Sequence, residues 1–266
     1  MSSLTGNKLN LLLKKWPPGT VAVLPWLKKQ GVYQQLAYKY EQSAWLKRIG
    51  EGAYIRDGET VPWTGAVYAL QSQLGLPVHV GGKTALEMKG FSHFLSPRGK
   101  APVYLFSEPP TKLPTWFLSH KWGVRIFHKM PKLFASSSGN RSITTTPVER
   151  YELRMSSPER AILEVLHLVP QEQSFAEARL LMESLTALRP DVVQSLLERC
   201  RSIKAKRLFL YLAERTEQQW FGKIRASRIN LGKGKRLIAK GGVFNAKYQI
   251  TVPKPEDGEK EGGPEL

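Results

Sequence analysis

The segment from residue 31 to residue 56 constrains the fold more than any other part of this chain. Its first apolar residues recur every four positions, at Val32, Leu36 and Tyr40, and this spacing places them on one face of a helix. Two short apolar runs follow, residues 45–49 and 53–55, and Gly50-Glu51-Gly52 joins them. Glycines on both sides of one residue suit a tight hairpin with a left-handed backbone position. The segment therefore predicts a helix followed by a two-stranded hairpin.

The preceding residues predict two more helices. Residues 4–15 form a leucine-rich and lysine-rich run that ends at Trp16-Pro17-Pro18-Gly19, since two prolines and a glycine stop a helix. Residues 21–30 predict a second short helix, with Pro25 in its first turn. Three helices and a hairpin make a winged helix-turn-helix, whose last helix enters the major groove of DNA. The alternative is a small α+β module without a role in nucleic-acid binding.

Composition limits the classes open to the chain. A length of 266 residues gives room for two domains, or for one large one, and 41% apolar residues are enough for real cores. Because the chain has no run of eighteen apolar residues and no signal peptide, we expect no membrane partner and a cytoplasmic location. The single cysteine, Cys200, excludes an intramolecular disulfide and is expected to be a buried apolar residue.

The net charge of +18 is unevenly distributed. It amounts to +6 in residues 1–96, +15 in residues 97–252 and −3 in residues 253–266. Residues 199–247 hold fourteen lysines and arginines against two glutamates. Such a balance favours a polyanion as partner, although solvated cations that cover a core would give the same count.

Composition breaks divide the chain into three predicted parts. Residues 1–96 are the winged helix-turn-helix domain, residues 97–252 an α+β domain with a mixed or antiparallel sheet and several helices, and residues 253–266 a disordered tail. The predicted strands of the second part include residues 103–106, 116–118, 124–127, 143–145, 151–155, 236–239 and 248–252. Ser157-Pro158 begins the first of its helices, and further helices are predicted at residues 175–185, 191–200 and 203–214.

Motifs for catalysis or metal binding are incomplete. Gly81-Gly82-Lys83-Thr84 resembles a P-loop, but Pro77 stands where that motif needs its first glycine, so a strand-to-helix turn is favoured. The five histidines are scattered without zinc-ligand spacing. Glu87-Met88-Lys89 has the Glu-x-Lys spacing of a nuclease motif, but it lacks an acidic partner upstream. Glu149 and Glu152 would face opposite sides of a strand, which is poor geometry for an acid–base pair. We therefore predict no enzyme, no metal and no cofactor; the alternative is a nucleic-acid-processing enzyme with a nuclease-like C-terminal domain.

Longer blocks of sequence resemble one protein family. These blocks are GVYQQLAYKYEQSAWLKRIGEGAYIR, VHVGGKTALEMKG, SSPERAILEVLHLVP, LMESLTALRPDVVQSLLERCRSIKAKRLFLYLAER and KYQITVP. Through them the chain, from about residue 9 to residue 253, resembles the AbiEi antitoxins of bacterial type IV toxin–antitoxin systems. The resemblance implies a repressor that binds inverted repeats of double-stranded DNA in its own promoter. It also implies a C-terminal domain that counteracts a nucleotidyltransferase-like toxin, without a tight complex, in phage defence by abortive infection.

The resemblance and the pattern together give candidate DNA contacts. The recognition helix falls on residues 33–42 and the wing on residues 45–56, and the family often has serine where this chain has Tyr33. The predicted contacts are Tyr33, Gln34, Gln35, Tyr38, Lys39, Gln42, Lys47, Arg48 and Arg56. The basic C-terminal segment supplies additional candidate nucleic-acid contacts at Arg199, Arg201, Lys204, Arg207, Lys235 and Arg236.

Overall fold

A computed structural model describes residues 2–91, 101–135 and 142–254. The chain divides into two compact units, each assembled from separate segments. The first unit comprises Met1–Val80, Lys100–Pro131 and Thr145–Met155; the second comprises Gly81–Gly99, Lys132–Thr144 and Ser156–Leu266. The predicted boundary at residues 96 and 97 lies outside the described residues, as does the tail from residue 255 onward, so both remain predictions.

The amino-terminal part of the first unit is a winged helix-turn-helix. Its elements are α1 (Ser2–Lys15), β1 (Ala22–Val23), α2 (Leu24–Lys29), α3 (Gln34–Gln42), β2 (Leu46–Gly50) and β3 (Ala53–Arg56). The three strands form a sheet in the order β1-β3-β2, with antiparallel pairs throughout. The predicted second helix is too long at its start, because Ala22 and Val23 pair with the wing strand β3 before α2 begins. Pro25 lies in the first turn of α2, as predicted.

Buried apolar side chains fix the orientation of α3. Ala37 and Tyr40 on α3 are buried with Val32, in a core that also contains Trp16 and Leu46. Leu36, predicted on the same face, is only partly buried. Gly31 has φ of +79°, a conformation that glycine adopts without strain, and it turns the chain from α2 toward α3.

A mixed five-stranded sheet follows in sequence. Its elements and their neighbours are α4 (Trp63–Tyr68), a π-helical turn (Ala69–Gln73), β4 (His79–Val80), α5 (Gly82–Met88), β5 (Val103–Phe106), α6 (Thr115–Ser119), β6 (Ile126–Lys129), β7 (Ile143–Val148) and β8 (Tyr151–Ser156). The strand order is β6-β5-β4-β8-β7. The sheet belongs to the first unit except where β7 begins and β8 ends.

The predicted strand at residues 116–118 is wrong. These residues belong to helix α6, which begins after Pro114. Trp116 and Phe117 are both buried, and a strand would have pointed two consecutive side chains to opposite faces of a sheet. A helical turn instead directs both rings toward the interior.

Helices dominate the second unit. Its later elements are α7 (Pro158–Leu168), α8 (Phe175–Ser184), α9 (Pro190–Arg199), α10 (Ile203–Arg215), two short 3-10 turns (Phe221–Lys223 and Ala226–Arg228), β9 (Arg236–Leu237), β10 (Val243–Asn245) and β11 (Ile250–Val252). The helix α7 is buried along nearly its whole length and packs against α5, α8, α9 and α10. The strands form a small sheet ordered β10-β11-β9. The sequence pattern did not predict β10, an edge strand whose Val243 and Phe244 are exposed.

The class is therefore α+β, as the sequence predicted. Among the described residues, no helix is both long enough and apolar enough to cross a membrane.

Candidate nucleic-acid interface

The outward face of α3 carries the polar residues that were predicted to contact DNA. Gln34, Gln35, Lys39 and Gln42 are exposed, and Tyr38 on the same helix keeps 59% of its surface. The helix itself begins at Gln34, one residue later than predicted. Tyr33 is its N-cap, is 64% exposed and makes no side-chain capping hydrogen bond. Since Ala37 and Tyr40 occupy the buried side, the glutamines are free to meet a ligand.

An open groove of about 860 Å³ lies along this face of α3. Its lining residues come from α2, the residue before α3, α3 itself and the wing: Lys28, Tyr33, Gln34, Gln35, Tyr38, Lys39, Glu41, Arg48 and Tyr54. The groove thus brings together six of the nine predicted contacts in the amino-terminal part. It adds Lys28, Glu41 and Tyr54, which the sequence pattern did not single out. For Lys28, its position in the last turn of the helix before α3 was the available signal.

Tyr54 is a buried residue that lines the groove. Burial raises the pKa of Tyr54; the charge of Arg48 lowers it and that of Glu41 raises it. The phenol therefore stays protonated at neutral pH and can donate a hydrogen bond. Glu41 is the one acidic lining residue, facing a lining that also contains Lys28, Lys39 and Arg48.

The two cations of the wing strand β2 face opposite sides of the hairpin. Arg48 is paired with Tyr54 and lines the groove, whereas Lys47 is paired with Ile55. Lys47 lies near His120, since burial lowers the pKa of His120 and the charge of Lys47 lowers it further. Lys47 is exposed but does not line the groove, so the wing presents one cation on each side.

Helix α6 supports the wing from the side of Lys47. The register of β2 shifts between Arg48 and Gly50, which places Gly50 on that side of the hairpin. Gly50 packs directly on α6: a Cβ atom added there would lie 2.6 Å from the Cβ atom of Trp116. No local sequence pattern indicates this packing, because the partner lies more than sixty residues away along the chain.

The structure corrects the prediction that Arg56 contacts DNA. Its guanidinium donates hydrogen bonds to the carbonyl oxygen of Leu13, at 3.0 Å, and to that of Trp16. It also lies 5.4 Å from the centroid of the Trp16 ring and pairs with Glu59 at 3.6 Å. These contacts attach the end of α1 to the wing, so Arg56 serves the fold and is not free to bind phosphate.

The structure also corrects two of the six nucleic-acid contacts that were predicted in the C-terminal part, Arg207 and Lys204. Arg207 is 2% exposed, and its guanidinium donates to the carbonyl oxygens of Leu231, Gly232, Gly234 and Gln249. Lys204 donates to the carbonyl oxygens of His167, at 2.8 Å, and Val169. Both cations are used to satisfy backbone groups that would otherwise lack donors.

The other four C-terminal cations differ in their surroundings. Arg201 and Lys235 are exposed, and the Lys235 ammonium lies 4.8 Å from the Phe244 ring centroid. Arg199 donates to the carbonyl oxygen of Ser195, and Arg236 donates to those of Lys233 and Lys235. The six residues therefore do not act as one uniform basic face.

The structure explains the residues that resemble catalytic motifs. Gly81 and Gly82 connect β4 to α5, as predicted, and the Gly82 amide donates to Glu164 Oε2 at 2.9 Å. A carboxylate of the protein thus occupies the helix start where a P-loop would bind phosphate. Lys83 forms ion pairs with Glu177 and Glu87. Lys89 donates to the Thr144 hydroxyl at 3.3 Å.

No metal-binding cluster is found in the described part of the chain. Within residues 2–91, 101–135 and 142–254, no three histidines, cysteines or carboxylates lie close enough to hold a metal ion. Glu149 lies in the turn before β8 with φ of +54°, not in the strand where it was predicted, and Glu152 lies in β8. Cys200 is 3% exposed, and burial raises the pKa of its thiol to about 11, so it stays protonated.

Comparisons with known proteins agree with the predicted family. A family described as "Transcriptional regulator, AbiEi antitoxin N-terminal domain" matches residues 5–97. A second, described as "Transcriptional regulator, AbiEi antitoxin, Type IV TA system", matches residues 100–253. No curated protein matches the chain. The crystal structure of the RV2827C protein from Mycobacterium tuberculosis is similar in fold, with a TM-score of 0.57 and 16% identity over 93% of this chain and 90% of that one.

Proposed function

Because this chain belongs to the AbiEi antitoxins, the transcriptional regulators of type IV toxin–antitoxin systems, we propose that it represses its own operon by binding inverted repeats in the promoter. The observation that carries this proposal is the exposed polar face of α3, whose glutamines lie beside a groove lined by the cations Lys28, Lys39 and Arg48. A winged helix-turn-helix places this helix in the major groove of duplex DNA.

Eight of the nine residues that line the groove have a role in the proposed complex. Gln34 and Gln35 read base edges, since a glutamine amide makes a bidentate contact to adenine. Glu41 accepts a hydrogen bond from the amino group of cytosine, and Tyr38 contacts a thymine methyl group or a phosphate. Lys28, Lys39 and Arg48 hold the phosphates that flank the bases. The remaining exposed residues, Tyr33, Gln42 and Lys47, contact the backbone at the edges of the interface.

Inverted repeats imply that two copies of the chain bind one operator. Each copy would place its α3 in one half-site, with half-sites about 34–36 Å apart or a multiple of that spacing. Recognition of both half-sites is expected to depend on the same residues, because the two copies are related by the symmetry of the DNA.

We also propose that the chain acts as an antitoxin in the cytoplasm. The toxin that it counteracts would be a nucleotidyltransferase-like protein from the same operon. The family resemblance supports this role, with neutralisation that needs no tight complex between the two proteins. Co-expression with the neighbouring toxin gene tests it: growth should be restored by the full chain. Co-purification of the two proteins in a fixed ratio would contradict the absence of a tight complex.

The DNA-binding proposal is tested by changing both glutamines. Gln34→Ala with Gln35→Ala should lower discrimination between operator and unrelated DNA by about 1–3 kcal/mol for each bidentate hydrogen-bonded pair that is removed. Gel-shift titrations and footprints on the promoter measure this effect. The matched control is Gln171→Ala with Gln219→Ala, two exposed glutamines far from α3 in sequence. An unchanged footprint for the first pair would remove α3 from the proposal.

A further inference from the structure

A second open pocket, of about 500 Å³, lies in the first unit away from the α3 groove. We name it the Tyr68 pocket. Its lining residues come from the α1–β1 connection, the end of α4 with the π-helical turn that follows it, and the β7–β8 hairpin: Pro17, Tyr68, Gln71, Ser72, Thr145, Arg150, Tyr151, Glu152 and Arg154. Its volume is within the range of about 300–1,000 Å³ that is usual for pockets that bind small molecules.

Buried and partly buried hydrogen bonds hold the walls of the pocket in place. The Gln71 amide donates to the carbonyl oxygens of Val78 and Arg154, and its oxygen accepts from the Arg154 amide. The Tyr151 hydroxyl shares a 2.8 Å hydrogen bond with the Thr64 hydroxyl. One terminal nitrogen of the Arg154 guanidinium donates to the Leu76 carbonyl oxygen, which orients the group. A ligand would therefore meet a preformed surface.

The polar groups of the pocket suit a phosphate. Arg150 and Arg154 each bring a guanidinium, against the single carboxylate of Glu152, so the lining carries net positive charge. Guanidinium groups bind phosphate through paired hydrogen bonds of fixed geometry. The hydroxyl groups of Ser72 and Thr145, both exposed, can donate further hydrogen bonds to phosphate oxygens.

The aromatic groups of the pocket suit a base. The rings of Tyr68 and Tyr151 lie with centroids 5.3 Å apart and tilted by 47°. Tyr68 is half-buried and lines the pocket, so part of its side chain is accessible to a ligand. Nucleobases stack on such rings with little dependence on their sequence or identity.

We propose that the Tyr68 pocket binds a nucleoside phosphate, with Arg150 and Arg154 on the phosphates and Tyr68 on the base. This site is independent of the α3 groove. If the pocket binds no nucleotide, the proposal that α3 binds DNA still stands. If the chain does not bind DNA, the proposal that the pocket binds a nucleotide still stands.

Calorimetric titration of the full chain, without DNA, tests the pocket. The probes are ATP, GTP, CTP and UTP, the four nucleosides and inorganic phosphate. We expect saturable binding of at least one triphosphate, with its nucleoside and inorganic phosphate at least tenfold weaker. If no triphosphate binds saturably, the proposal is wrong. If inorganic phosphate binds as tightly as the triphosphates, the role of Tyr68 in base binding is wrong.

Two variants locate the bound nucleotide. Arg150→Gln should weaken its binding by about tenfold or more, because a charge-assisted hydrogen bond is removed. Tyr68→Leu should weaken it similarly, and thermal unfolding checks that this variant is folded. The matched control is Arg215→Gln, which changes an exposed arginine that does not line the pocket. Unchanged binding by Arg150→Gln would overturn the assignment. A second result would also overturn it: Arg150→Gln loses operator binding, and the wild-type chain binds no nucleotide. Arg150 would then contact the DNA backbone.

Discussion

Arginine side chains in this chain take two different roles that their sequence neighbourhood does not distinguish. Arg48 and Arg201 are exposed, and Arg48 makes one exposed hydrogen bond, from Nε to the Gly50 carbonyl oxygen at 3.1 Å. Arg56 and Arg207 instead donate several hydrogen bonds to backbone carbonyl oxygens within the fold. A guanidinium offers five N–H groups in a plane, so one side chain can satisfy several carbonyls of a loop that lacks regular pairing. Arg207 does this for the connection that leads to the small C-terminal sheet.

Replacement of Arg207 tests its structural role. Arg207→Met should lower the free energy of unfolding by roughly 3 kcal/mol, because buried carbonyl groups lose their donors. Arg215→Met on the same helix should change it by less than about 0.5 kcal/mol, since Arg215 is exposed. Urea unfolding of both variants measures the difference. A stable Arg207→Met variant with impaired operator binding would instead return Arg207 to the set of DNA contacts.

At the scale of secondary-structure elements, the wing depends on α6. The hairpin β2–β3 is supported on one side by Trp116, and Gly50 permits the approach because it has no side chain. Gly50→Ala should lower the free energy of unfolding by about 1–3 kcal/mol, because the added methyl group overlaps Trp116. Operator affinity should fall with it, as the wing shifts.

The matched control for the wing is Gly222→Ala. An added Cβ atom at Gly222 meets nothing within 4 Å, so this change should be nearly neutral. Thermal unfolding and gel-shift titration of both variants give the two readouts. Equal stability of the two variants would show that α6 does not support the wing.

An ion pair also connects two helices of the second unit. Glu159 in the first turn of α7 accepts hydrogen bonds from Arg189, just before α9, at 2.9 Å from Nε and 3.1 Å from a terminal nitrogen. Burial alone would raise the pKa of Glu159, but the hydrogen bonds from Arg189 outweigh it and lower this pKa below 4.5. The pair therefore stabilises the fold fully above pH 4.5, and this contribution is lost as pH falls through the lowered pKa.

Glu159→Gln should expose that pH dependence. At pH 7 the variant should be less stable by roughly 2 kcal/mol, a value kept modest because Arg189 is half exposed. The difference from the wild-type chain should shrink as the pH falls from 4.5 through the lowered pKa, because the carboxyl group of the unfolded chain then binds a proton more readily than that of the folded chain. Urea unfolding from pH 7 to pH 3.5 measures it, with the exposed Glu108→Gln as control. A difference that grows toward acid pH would contradict the lowered pKa.

At the scale of the whole molecule, charge sets how operator binding responds to salt. The net charge of +18 overstates the available contacts, because cations such as Lys206 and Arg207 are buried. Each neutralised phosphate contributes about −0.9 to the slope of log K against log salt concentration. We expect Arg201→Gln with Lys235→Gln to reduce the magnitude of this slope by about 2.

The positive control for the salt experiment is Lys39→Gln with Arg48→Gln. These groove residues should reduce the slope by a similar amount, since both are proposed to contact phosphate. If the C-terminal double variant shows the same salt slope as the wild-type chain, Arg201 and Lys235 do not contact the DNA.

Local patterns in the amino-acid sequence were sufficient to predict several helices and the hairpin. The spacing of Val32 and Tyr40, the glycines of the hairpin and the proline at the start of α7 predicted the winged helix and the later helices. The sequence also predicted which face of α3 is polar, because a helical period decides which residues share a side. These features depend on residues a few positions apart.

Contacts between distant segments determine which cations are available and what supports the wing. Arg56 and Arg207 are engaged within the fold because distant segments bring backbone carbonyls beside them. Trp116 packs against Gly50, and Ala22 pairs with Tyr54. These partners are too far apart in the sequence for a periodic pattern to predict their contact. The Tyr68 pocket likewise exists only because three separate segments meet. Long-range contacts depend on how the whole chain packs, so no local pattern specifies them.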